Sequence, residues 1–182
     1  MALHKIPYAV SYRKIKYPRI ELKTGKVLLI IPFGKKPDAI LEKHEQWIHR
    51  KLDFIGKCLK ASSGKKLADR ADTEFRELIN RIADEVSRQL RVRLKGISFR
   101  KMRTKWASLS SKKNITVNTL MRHLPVRLIR YIVYHEMVHL IEKRHNENFW
   151  KIISKHYRNH SSIEREMFAY WFLINKKESR LS

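Results

Sequence analysis

Short apolar runs open the chain and helical patterns close it. Tyr8–Tyr12, Arg19–Lys23 and Lys26–Pro32 are brief and rich in β-branched and aromatic residues, which predicts strands. Thr24-Gly25 supplies a hairpin turn between the last two. From Lys36-Pro37-Asp38 the period changes: Ile40, Leu41, His44, Trp47, Ile48, Lys51, Leu52 and Ile55 recur at helical spacing. The segment from Ala61 through Ser62, Ser63 and Gly64 to Lys66 is the best linker candidate. It is short, which predicts a joint between subdomains (1–60 and 67–182) of one domain spanning 1–182.

Beyond the joint, Phe75, Ile79, Ile82, Val86, Leu90 and Leu94 predict a long amphipathic helix that stops at Gly96. Three strand-like runs come next, Ile97–Met102, Trp106–Ser110 and Asn114–Asn118, with a turn over Ser111–Asn114 joining the last two. Pro125 opens the next helix, where its missing N–H costs nothing, and the apolar pattern carries that helix to about Glu142. A further helix from Asn146 carries Phe149, Trp150, Ile153 and Tyr157, and a last one from Ser162 carries Ile163, Met167, Tyr170, Trp171 and Ile174. The apolar neighbours of Trp47, Trp106, Trp150 and Trp171 predict core positions for all four.

Charge adds the next feature. The 182 residues hold 41 Lys and Arg against 17 Asp and Glu, a formal net charge of +24. The excess is uneven: no acid lies between Val86 and His135, while the basic stretch Arg88–Arg130 falls inside that interval. Such a field attracts polyanions, nucleic acid first among them, although a solvated basic surface explains it equally well. The single cysteine, Cys58, excludes an internal disulfide and argues against a zinc ribbon or finger. No apolar stretch has the length of a signal peptide core or a membrane span, so the expectation is a soluble, cytoplasmic protein with no membrane partner.

Chemistry concentrates in His135-Glu136-Met137-Val138-His139, the HExxH pattern. Residues four apart on a helix are displaced by only about 40° around its axis, so both imidazoles reach one metal ion. Glu136 sits one step along, where its carboxylate can deprotonate a water without ligating the metal. His145 is the candidate third ligand. A continuous helix would carry it about 280° around, away from the ion. The helix must therefore end near Glu142–Arg144, and with no glycine there, Lys143 or Arg144 is expected to take the turn conformation. Glu164, Glu166, His156 and His160 are rivals for the same position.

These residues together resemble the YgjP-like family of predicted metal-dependent hydrolases, among the zincin-like metallopeptidases. The resemblance rests on the hairpin Gly25–Pro32, the pair Trp47-Ile48, the basic run Arg103-Thr104-Lys105 into Trp106-Ala107-Ser108-Leu109-Ser110, and Asn114-Ile115-Thr116-Val117-Asn118. It continues with His135, Glu136, His139 and His145 and the pair Phe149-Trp150. Where the family pattern reads Trp-Gly-Ser-Cys-Ser, this chain has Ala107 and Leu109 in place of the glycine and the cysteine. The resemblance implies a zincin-like α+β fold, in which a small mixed or antiparallel sheet packs on the HExxH helix beside an N-terminal hairpin-and-helix subdomain. It also implies one zinc ion on His135, His139 and His145, with Glu136 as the catalytic acid/base. The zinc helix and the segment after it, through Phe149-Trp150, are also similar to WLM and SprT-like proteases that act on DNA-bound proteins.

The implied mechanism is hydrolysis of an amide: three neutral imidazoles on zinc lower the pKa of a water towards about 7, and Glu136 takes its proton. Two alternatives stay open, a nucleotide or phosphate-ester hydrolase and a DNA-associated protease recruited by its basic surface. The substrate, peptide or small molecule, is not specified by these residues. Tyr131, Tyr134, His156, Tyr157, Arg103 and Lys105 are candidates to stabilise the developing anion, and Glu147 is a candidate acceptor for a ligand imidazole.

Overall fold

The computed structural model describes residues 7–23, 26–62 and 64–181. The Thr24-Gly25 turn lies outside them. The chain forms two compact units, one drawn from Met1–Gly64 and Trp171–Ser182, the other Lys65–Tyr170.

The first unit holds strands β1 (Tyr8–Tyr12), β2 (Arg19–Lys23) and β3 (Lys26–Ile31) and helix α1 (Pro37–Ser62). Its sheet is mixed, in the order β1-β3-β2: β3 runs antiparallel to β2 and parallel to β1. Alternation along β3 puts Val27, Leu29 and Ile31 on one face, where they pack with Leu41 and Ile48 of α1.

The second unit is built from α2 (Asp72–Leu90), β4 (Gly96–Arg100), β5 (Ala107–Leu109), β6 (Asn114–Asn118), a 3₁₀ turn (Thr119–His123), α3 (Val126–Val138), α4 (Glu147–His156) and the start of α5 (His160–Leu181). Its sheet is again mixed, ordered β4-β6-β5, with β4 parallel and β5 antiparallel to β6. β5 is therefore an edge strand. Helix α3 packs against α2, β5 and α4, and its Leu128, Ile129, Ile132, Val133, Met137 and Val138 are buried. This is the α+β arrangement expected of the chain, with a small mixed sheet beside the HExxH helix.

Two helix ends differ from the sequence pattern. α2 stops at Leu90, not at Gly96: Arg91 takes the left-handed conformation (φ 54°), and the N–H of Val92 bonds the carbonyl of Ser87 at 3.0 Å. Gly96 serves a different purpose, since a Cβ there would lie 3.1 Å from Asn114 Oδ1. α3 ends at Val138, four residues short of the expected end. Among the described residues, no helix is long and apolar enough to cross a membrane.

Candidate metal centre

Helix α3 presents His135 and Glu136 from its last turn, and His139 caps its end with helical backbone angles. The chain then turns without any left-handed residue: successive N–H groups of Leu140 and Ile141 bond the carbonyls of Met137 and Val138 at 3.0 and 2.9 Å. Tightening of the last turn, and not a left-handed Lys143 or Arg144, brings the chain back. Asn146 then caps α4, its Oδ1 accepting from the N–H of Phe149 at 3.0 Å. His145 immediately precedes that cap.

The result is a cluster. One ligating atom from each of His135, His139 and His145 lies within 4.8 Å of the others. The Nε2 atoms of His135 and His145 are 3.0 Å apart. Nδ1 of His139 meets the carbonyl of Glu142 at 3.0 Å, which fixes the ring and leaves Nε2 for an ion. Burial pushes His135 down to about 4, and its neighbours His145, His139 and His160 add to the shift. Burial lowers His145 in the same way. Both rings are therefore neutral near pH 7, the form that binds metal. A set of three imidazoles fits a zinc ion with an open position.

One residue underlies all three rings. Phe149 is fully buried, with its ring centroid 4.9 Å from His135, 4.7 Å from His139 and 4.6 Å from His145. The Phe-Trp pair carried that signal in the sequence, but as part of a family pattern and not as a floor for the triad.

None of the rivals joins the cluster. Glu166 accepts from Lys65 at 2.7 Å and Arg127 at 2.5 Å, His156 meets Gln89 at 2.9 Å, and His160 stacks on Trp150. Glu164 faces the same cleft as the histidines, but there its Oε1 accepts the Tyr131 hydroxyl at 2.9 Å. Glu147, a candidate acceptor for a ligand imidazole, instead pairs with Lys151 one turn along α4, because helical geometry turns it to solvent. The carbonyl of Glu142 takes that place.

Glu136 sits beside the triad with its Oε2 accepting the N–H of Leu109, from edge strand β5, at 3.0 Å. Burial raises its pKa, against the opposing pull of His139, the Leu109 N–H and Lys105. The triad and Glu136 line a cleft of about 1090 Å³ with β5, Tyr131, Trp106, Trp150, Phe168 and three lysines, Lys105, Lys113 and Lys143. Of the six anion-stabilising candidates, Tyr131 and Lys105 line this cleft. Burial raises the Tyr131 phenol, as does the adjacent Glu164. Trp106 and Trp150 also belong to the cleft wall, and Trp47 is 38% exposed, so these three are not the core anchors that their neighbours predict.

Residues 57–169 match the family model described as YgjP-like, metallopeptidase domain. The chain belongs to that family. Membership makes it a metal-dependent hydrolase in class, and the YgjP-like match spans the whole cleft. Over 50 residues the chain is 40% identical to a protein of Escherichia coli (strain K12) named UTP pyrophosphatase, a match that covers 28% of this chain and 30% of that relative. Two solved structures are similar. They are the metallopeptidase zymogens of Pyrococcus abyssi abylysin (21% identity, 48% of this chain, 88% of that one) and Methanocaldococcus jannaschii jannalysin (26%, 49% and 84%), each with a TM-score of 0.44.

Proposed function

We propose that this YgjP-like protein is a zinc-dependent hydrolase that cleaves the phosphoanhydride of a nucleoside triphosphate such as UTP, with Glu136 as its base. The carrying observation is the composition of the cleft: Lys105, Lys113 and Lys143 share its walls with Glu136 and the three histidines. Three lysines lining one cleft suit a polyphosphate far better than a neutral amide. The name of the Escherichia coli relative supports the same substrate class.

His135, His139 and His145 would hold the zinc ion, which would supply Lewis acidity at the reaction centre. Glu136, held by the Leu109 N–H, removes a proton from the attacking water. The water oxygen forms a bond to the α-phosphorus, the bridging P–O bond breaks, and pyrophosphate leaves with the electron pair. The lysines neutralise the departing charge. Phe168, 50% exposed and lining the same cleft, offers an aromatic face to the base.

The test is release of pyrophosphate and UMP from UTP by zinc-loaded wild type, compared with Glu136→Gln. Wild-type turnover lost in the variant, with metal content equal in the two, supports the reading. Equal turnover in both overturns it.

A second reading has its own support. β5 is an edge strand that lines the cleft, and an extended peptide can add to such an edge by backbone hydrogen bonds. A peptidase of this kind would use the same zinc and the same Glu136 on an amide carbonyl, and the basic stretch Arg88–Arg130 would recruit proteins already bound to nucleic acid. Cleavage of casein-like substrates with no release of pyrophosphate would favour it.

A further inference from the structure

The second unit devotes a fully buried side chain to shaping one exposed loop. Asn118, at the end of β6, has no solvent exposure. Its amide donates to the carbonyls of Met102 (2.9 Å) and Lys105 (2.7 Å), while its Oδ1 accepts from the N–H groups of Met102 (3.2 Å) and Leu120 (3.1 Å). Its own backbone N–H donates to the carbonyl of Trp106 at 2.8 Å. Both amide hydrogens and two acceptor positions are used, so the side chain is satisfied in one orientation. Exchanging oxygen for nitrogen would set donor against donor and acceptor against acceptor.

The loop pinned in this way, between β4 and β5, carries Arg103, Thr104 and Lys105, all exposed. Lys105 lines the cleft and Arg103 does not. Lys113 and Lys143 also reach the cleft, but from the β5–β6 turn and the segment before α4. Neither of those segments is held, among the described residues, by a fully buried side chain bonded to its backbone as Asn118 is to this loop. A cation useful to a reaction must be fixed before substrate arrives, because a flexible lysine surrenders its interaction energy to ordering.

We infer that Lys105 is the catalytic cation that neutralises the phosphoryl oxygens of the substrate across from His135, His139 and His145, and that Asn118 is the positioning residue that holds it there. This rests on the reading of the cleft as a nucleoside triphosphate site, and it assigns within that site a role that charge alone does not distribute among the three lysines.

The experiment measures two things: affinity of the metal-free protein for the non-hydrolysable analogue α,β-methylene-UTP, and kcat and KM of the zinc-loaded protein for UTP. Lys105→Ala should weaken analogue binding about tenfold, the scale of one lost charge-assisted bond. It should lower kcat by about 10²-fold, the scale of one lost anion-stabilising donor. Lys105→Arg should recover part of both. Arg100→Ala, exposed on β4 outside the cleft, removes the same charge and should change neither. Asn118→Asp, checked for folding by circular dichroism, should reproduce the Lys105→Ala defects, and the double variant should be no worse than either alone. Wild-type affinity and kcat in Lys105→Ala, with the wild type binding the analogue, overturn this assignment alone. Failure of the wild type to bind the analogue or to hydrolyse UTP overturns the substrate reading and the assignment together.

Discussion

Oε2 of Glu136 accepts a hydrogen bond from the backbone N–H of Leu109 at 3.0 Å, tying the centre of the HExxH motif to the edge of the sheet. Glutamine at position 136 can keep that bond, because its amide oxygen also accepts, but it cannot take a proton from water. Glu136→Gln is therefore expected to retain metal and fold while kcat falls by about 10²–10⁴-fold, the range for losing a general base. Glu136→Asp, one methylene shorter, should lose the Leu109 contact and show a comparable fall in kcat. Metal analysis and steady-state kinetics on the three proteins check both.

His145 and Glu164 both qualify by residue type as a third metal ligand, and space separates them. The first joins the cluster with His135 and His139, while the second is engaged by the Tyr131 hydroxyl at 2.9 Å. His145→Ala should lose zinc on dialysis under conditions in which the wild type keeps it, and Glu164→Gln should keep it. Zinc per protein chain, measured by atomic emission, decides. Chelation should abolish turnover in the wild type and zinc should restore it.

Local forces write themselves into a sequence and long-range ones do not. The hairpin strands, the helix around Trp47-Ile48 and the HExxH helix all show in the apolar period, because burial of one face imposes it. Helix ends are less legible. Arg91 takes a left-handed angle although it is not glycine, and the turn after His139 is made by tightened helical bonds that no residue type announces. Asn118 can be read only as part of a motif. Its partners Met102, Lys105 and Leu120 meet it through backbone groups, and backbone groups leave no mark in a sequence. The same reason hides the carbonyl of Glu142 behind His139 and the N–H of Leu109 before Glu136.

Glu166 links separate segments, accepting from Lys65 at 2.7 Å and Arg127 at 2.5 Å, with its side chain only 17% exposed. Burial alone would raise its pKa, but the Arg127 and Lys65 hydrogen bonds and charges outweigh that and hold the carboxyl below its ordinary 4.5. A carboxyl depressed in the folded state contributes stability above its unfolded pKa and loses it as pH falls through the folded value. Glu166→Gln should therefore lower the denaturation midpoint at pH 7. The gap from wild type should narrow as pH drops below about 4.5 and close beneath the folded pKa. Urea titrations at pH 7, 5, 4 and 3 measure it; a gap unchanged at pH 3 would remove the ion pairs as its cause.

Phe149 is buried beneath His135, His139 and His145, with all three rings within 4.9 Å of its centroid. Its contribution should appear in two separable measurements. Truncation in Phe149→Ala empties a packed site and should cost about 3–5 kcal/mol of stability, seen as a lower Tm of the metal-free protein. Phe149→Leu restores much of the volume but not the aromatic ring on which His139 stacks and which His135 and His145 meet edge-on, so it should recover most of the Tm. Zinc affinity should nevertheless stay below wild type in Phe149→Leu, because rings free to rotate must be ordered again when the ion binds. Equal zinc affinity in Phe149→Leu and wild type would mean that the Glu142 carbonyl and the Asn146 cap hold the rings without help from below, and that Phe149 only fills space.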